Sequence, residues 1–147
     1  MEYIHYGSKK FDPQRFQKIS NIPEFIKPSG GLWASRVDAE YGWKEWCNDN
    51  SFNSDVKEYF KFKLKPDAKI LIIENAAQLN SLPKNEENVI MNKLYKTLDF
   101  EKLAKEYDAI EVLISADHKL YWDLYGWDCD SILIMNPEKV DEIKEIV

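Results

Sequence analysis

"EYFKFKLKPDAKILIIEN", Glu58 to Asn75, holds two different strand patterns on either side of one turn. In the first, Phe60, Phe62 and Leu64 alternate with Lys61, Lys63 and Lys65, a period of two that sends apolar side chains to one face and charges to the other. Pro66 and Asp67 supply the turn, and Ile70 to Ile73 then run on without a polar interruption, the pattern of a strand covered on both faces. The first strand thus reads as half exposed and the second as buried. The lysines read as a solvated sheet face and are given no ligand.

Working outward toward the N-terminus, "GLWAS" (Gly31 to Ser35) and residues Glu2 to Tyr6 each predict a short strand. Between them, "FDPQRFQKI" predicts a short helix after Asp12 and Pro13, and "NIPEFIKPSGG" is a loop punctuated by two prolines and two glycines. Asp38 is a candidate N-cap for "AEYGWKEWC", whose spacing puts Trp43 and Trp46 on one helical face. Toward the C-terminus, Ala76 to Tyr107 reads as helical, with "NVIMNKLYKTL" followed by the Asp99-capped "DFEKLAKEY". "YDAIEVLIS" and "SILIMNP" predict strands, and "KLYWDLYGW" between them is an aromatic helical or looped segment. Val140, Ile143, Ile146 and Val147 recur at intervals of three and four, which predicts a short terminal helix. Strands at both ends with helices between and beside them predict one α+β domain over residues 1–147.

Composition narrows the function classes. The chain has 147 residues, 44% of them hydrophobic and 31% charged, as expected of a globular domain with a packed core. Aromatic residues make up 14%, so large rings are available to line a stacking pocket as well as a core. A net charge of -6 disfavours loose binding to nucleic acid or to an anionic membrane. No stretch approaches the roughly 18 apolar residues of a membrane span, and a cytoplasmic location is the expectation. Cys47 and Cys129 are too far apart in sequence for a zinc motif and are expected to be buried, reduced thiols; no metal site is expected.

Taken in order, "IHYGS", "GLWAS" with Trp43, "KFKLKPDAKILII", "EYDAIEV" and "DSILIMNP" resemble the ADP-ribosyltransferase superfamily, in its histidine-tyrosine-glutamate branch of diphtheria-type toxins and poly(ADP-ribose) polymerases. The resemblance spans most of the chain and implies a split mixed β-sheet core with helices. It implies NAD as substrate and transfer of ADP-ribose to a protein or nucleic-acid acceptor. By resemblance, His5 would bond a ribose hydroxyl, Gly7 would present backbone to the carboxamide, Ser35 would bond either group, and Trp33 or Trp43 would stack on nicotinamide. Asp130 would be the carboxylate that strengthens its hydrogen bonds as the sugar becomes oxocarbenium-like, making His5 and Asp130 the candidate catalytic pair.

The pattern departs from the family in two places. Tyr6 stands between His5 and Gly7, where the family has adjacent residues, and no glutamate opens the last strand, where the matching position is Asp130 or Ser131. A one-residue change of register turns a strand side chain to the opposite face. A non-catalytic module of the same fold, binding a nucleotide or a partner, is the alternative.

Overall fold

Both strands of the Glu58 to Asn75 stretch form, but near opposite ends of one sheet. The computed structural model describes residues 1–52 and 56–147. Among the described residues there are seven strands: β1 (Tyr3–Tyr6), β2 (Leu32–Arg36), β3 (Tyr59–Leu64), β4 (Ile70–Ile73), β5 (Ala109–Val112), β6 (Ser131–Ile134) and β7 (Val140–Glu145). Their order is β4-β5-β6-β2-β1-β3-β7, with β4 parallel to β5 and the other pairs antiparallel. The fold is thus a single small α+β domain with a mixed sheet.

That order forces the sheet to curl. The six residue steps from Leu64 to Ile70 can span at most about 22 Å. Five strand spacings, the separation of β3 from β4 in a flat sheet, come to about 24 Å before the Pro66-Asp67 turn is allowed for. Curling toward one face closes the gap and buries Tyr3, Phe60, Phe62, Ile132 and Ile134 there, with Leu64 and Ile70 from the two sides packed on the same cluster. On the other face Ile73, Ile110, Val112 and Leu133 lie beneath helices.

Five α-helices are found among the described residues: α1 (Trp43–Asp49), α2 (Ala76–Asn80), α3 (Val89–Asn92), α4 (Phe100–Leu103) and α5 (Lys119–Asp123). Asn75, Asn88 and Asp99 cap the starts of α2, α3 and α4 by accepting backbone N–H bonds. Leu79, Phe100, Leu103 and Leu120 enter the core from these short elements. Asp12 likewise caps a 3₁₀ turn over Pro13–Arg15.

Four expectations are corrected. The tail is not a helix: a 3₁₀ turn at Pro137–Lys139 leads into β7, whose pairing with β3 satisfies an otherwise open strand edge. The region Ala76 to Tyr107 is broken into short helices, because Lys84 bridges Leu98 and the Asn85 N–H donates to the Thr97 carbonyl, folding the chain back on itself. Helix α1 starts after Gly42 rather than Asp38; the Glu45 carboxylate accepts the Gly42 N–H at 3.0 Å and Ser35 Oγ accepts the Trp43 N–H at 3.2 Å. Strand β4 buries only Ile73, since a strand with a neighbour on one side cannot cover all its side chains.

One feature of the register prepares the site. Strands β1 and β2 pair only through Tyr3 with Arg36 and Ile4 with Ser35, whereas β1 pairs with β3 along its whole length. Beyond Ile4 the two strands part.

Candidate functional site

A cavity of about 350 Å³ opens where β1 leaves β2. Its walls include Ile4, His5 and Tyr6 from β1 and Trp33, Ala34 and Ser35 from β2. Trp43 closes one side from the start of α1, and Cys129 and Ser131 close another at the entry to β6. Lys27 and Asp128 bring the two charges of the lining.

The strand pleat explains the arrangement. Trp33 and Ser35 alternate with Ala34, so both project to the helix-covered face, and Ser35 sits opposite Ile4 while Trp33 sits opposite Leu133. Trp33 is held edge-on against buried Trp127, ring centroids 4.8 Å apart, with the Lys27 ammonium 5.2 Å from its ring centre. Trp43 stacks on Trp46 at 5.1 Å and 13°, so the two indoles do share a face. The result is a flat indole on each of two elements around one hollow.

His5 occupies the parting of the strands. Its Nδ1–H donates to the Trp33 carbonyl at 2.7 Å, replacing the backbone pairing that β1 no longer makes. A carbonyl accepts only, so this bond puts the ring proton on Nδ1 and leaves Nε2 as an acceptor. Burial lowers the imidazole pKa below its usual value, with the Trp33 hydrogen bond opposing. A neutral ring that accepts a hydroxyl or amide proton is the chemistry this position offers.

Ser35 and Asp130 have structural partners. The Ser35 hydroxyl donates to the Asp130 carbonyl at 2.9 Å while accepting from the Trp43 N–H, tying β2, β6 and α1 together. The Asp130 carboxylate accepts from Ser115 N–H at 2.8 Å, from Ser115 Oγ at 2.6 Å and from Tyr41 N–H at 3.4 Å. Asp130 is 3% exposed and does not line the cavity. Ser131, the next residue, does, and its hydroxyl donates to the Cys129 carbonyl at 3.1 Å. Burial pushes the Cys129 thiol pKa up to about 12, so it is a neutral thiol at physiological pH, and both cysteines are buried.

Of the residues singled out from sequence, His5, Trp33, Ser35 and Trp43 are brought together in this cavity; Gly7 and Asp130 are not among its walls. Gly7, at φ 103°, lies instead on a neighbouring cavity that shares His5. Lys27 and Asp128 escaped the sequence reading. A basic side chain set between Ile26 and Pro28 in a long loop was the available signal for Lys27; Asp128 carried none apart from its closeness to Asp130. Among the described residues no group of three or more His, Cys, Asp or Glu is placed to hold a metal ion, and no helix is long and apolar enough to cross a membrane. The chain matches no protein-family model, no curated protein and no solved structure.

Proposed function

We infer that this chain is a nucleotide-binding domain on the ADP-ribosyltransferase plan, taking NAD with its nicotinamide ring in the cavity and leaving the glycosidic bond intact. The observation that carries this reading is the meeting of His5, Trp33, Ser35 and Trp43 around one hollow at the parting of β1 and β2. Indoles offer faces to a planar ring, and neutral Nε2 of His5 accepts from a ribose hydroxyl. The hollow is of the size in which small ligands are bound.

The place of Asp130, outside the cavity walls, supports binding without transfer. Stabilising an oxocarbenium-like sugar needs negative charge at the reacting carbon. The Asp130 carboxylate is engaged by Ser115 and Tyr41, and the residue that reaches the cavity from the start of β6 is Ser131, which is neutral. Titrating the tryptophan fluorescence with NAD, alongside an assay for released nicotinamide, tests both halves. Saturable quenching with no release above the blank is expected; the absence of any saturable change overturns the reading.

One observation favours a second reading, transfer of ADP-ribose to a protein or nucleic-acid acceptor: Asp128 does line the cavity. Nicotinamide release that falls in Asp128→Asn and persists in Asp130→Asn would select it.

A further inference from the structure

Past His5 lies a second cavity of about 250 Å³, whose lining differs in chemistry from the first. By the pleat, His5, Phe60 and Leu32 project to the curled inner face, whereas Ile4, Tyr6, Trp33 and Ser35 project to the helix-covered face. The second cavity is lined by the first set and the aromatic one by the second set, and His5 is common to both. The ladder between β1 and β2 ends at Ile4 and Ser35, so at this level the imidazole and its one bond to the Trp33 carbonyl bridge the two strands.

Lys10 and Arg15 supply two cations to this second cavity, and among the described residues neither is in an ion pair. Its one acid, Asp12, has Oδ1 engaged by the Gln14 N–H at 3.0 Å. Gly7 leaves open space on the same wall, where a Cβ would meet no atom within 4 Å, while its N–H is held by the Glu58 carbonyl at 2.7 Å. Two cations outside any ion pair among the described residues, against one acid, give this cavity a positive lining in a chain of net charge -6 and a local preference for a small anion.

We propose that the second cavity binds the phosphate groups of the ligand whose ring enters the first, with Lys10 and Arg15 as the anion ligands and His5 at the junction. The link to a ring rests on the nucleotide-binding reading above; the anion site itself does not. The ligand is thereby a ring-bearing phosphate ester, with the ring and the phosphates on opposite sides of the imidazole.

The test uses three probes on the whole chain, followed by amide NMR shifts: inorganic pyrophosphate, nicotinamide and NAD. Pyrophosphate alone is expected to shift the amides of Gly7, Lys10 and Arg15. The double substitution Lys10→Ala with Arg15→Ala should weaken both pyrophosphate and NAD by about tenfold or more, the size set by lost charge-assisted hydrogen bonds, with nicotinamide binding and the thermal midpoint unchanged. Lys10→Arg with Arg15→Lys should retain pyrophosphate. Pyrophosphate shifts that fall elsewhere, or that survive the double alanine substitution, overturn the proposal. If nicotinamide and NAD leave Trp33 and Trp43 unmoved while pyrophosphate still maps to Lys10 and Arg15, the anion site stands and the ring-binding reading falls.

Discussion

At the scale of single residues, the chemistry of the cavity turns on one neutral imidazole. Its pKa is lowered in the fold by burial, so the unfolded chain binds a proton more readily than the folded one. The stability this contributes is complete above the unfolded value of about 6.5 and is lost as pH falls through the folded one. His5→Asn keeps an amide donor for the Trp33 carbonyl but cannot titrate. Urea unfolding should therefore show wild type losing more stability than His5→Asn on acidification from about pH 7 to about pH 5. Equal losses would remove His5 from the acid response. Asp130 gives the contrasting case, a carboxylate whose partners are all within the fold. Asp130→Ala strands the Ser115 and Tyr41 donors and should cost about 1–3 kcal/mol in chemical denaturation. NAD affinity well below the unfolding midpoint should be unchanged. Lost binding at full stability would return Asp130 to the site.

Elements differ in how the open edges of the sheet are treated. Strand β7 presents Asp141, Glu142, Lys144 and Glu145 as exposed charges, and Glu142 adopts φ 43°, which bends the edge. Strand β4 carries no charge, but the side-chain amide of Gln78 donates to the Ile72 carbonyl at 3.2 Å and accepts the Glu74 N–H at 2.6 Å. One glutamine from α2 thus takes the place of a neighbouring strand on that edge. Gln78→Ala should cost about 1 kcal/mol and raise self-association, read by light scattering at increasing concentration; unchanged association would mean the apolar edge is closed by other means. The sequence was legible where a period had a single cause. Alternating Phe60 and Phe62 gave β3, and the apolar runs of β5 and β6 gave strands that are buried throughout. It misled where one spacing served two structures: Val140, Ile143 and Ile146 fit a helix until β3 offers an open edge, a long-range fact absent from the local pattern. The cavity was legible in part for the same reason. Trp33 and Ser35 are two apart on one strand and must share a face, but whether Asp130 or Ser131 faced them depended on a register set by β2 and β5.

Across the whole molecule, one ion pair spans the sheet's central strands. Glu111 on β5 is 1% exposed and Arg36 on β2 holds it bidentately, at 2.8 Å through Nε and 2.6 Å through Nη2, across intervening β6. Glu111 is a charge within an otherwise apolar strand, on the curled inner face shared with Ala109, where only a fork-shaped donor reaching over a strand satisfies both oxygens. Such a pair adds little net stability over an apolar replacement, yet breaking it from one side leaves a buried charge. Arg36→Met should accordingly destabilise by about 3 kcal/mol, toward the low end for buried pairs because the guanidinium is partly exposed. Adding Glu111→Met should restore most of that loss, because no unpaired carboxylate then remains. The single and double variants are compared by guanidinium chloride unfolding. A double variant no more stable than Arg36→Met would mean that the arginine acts through packing of its stem against Tyr3 rather than by neutralising Glu111.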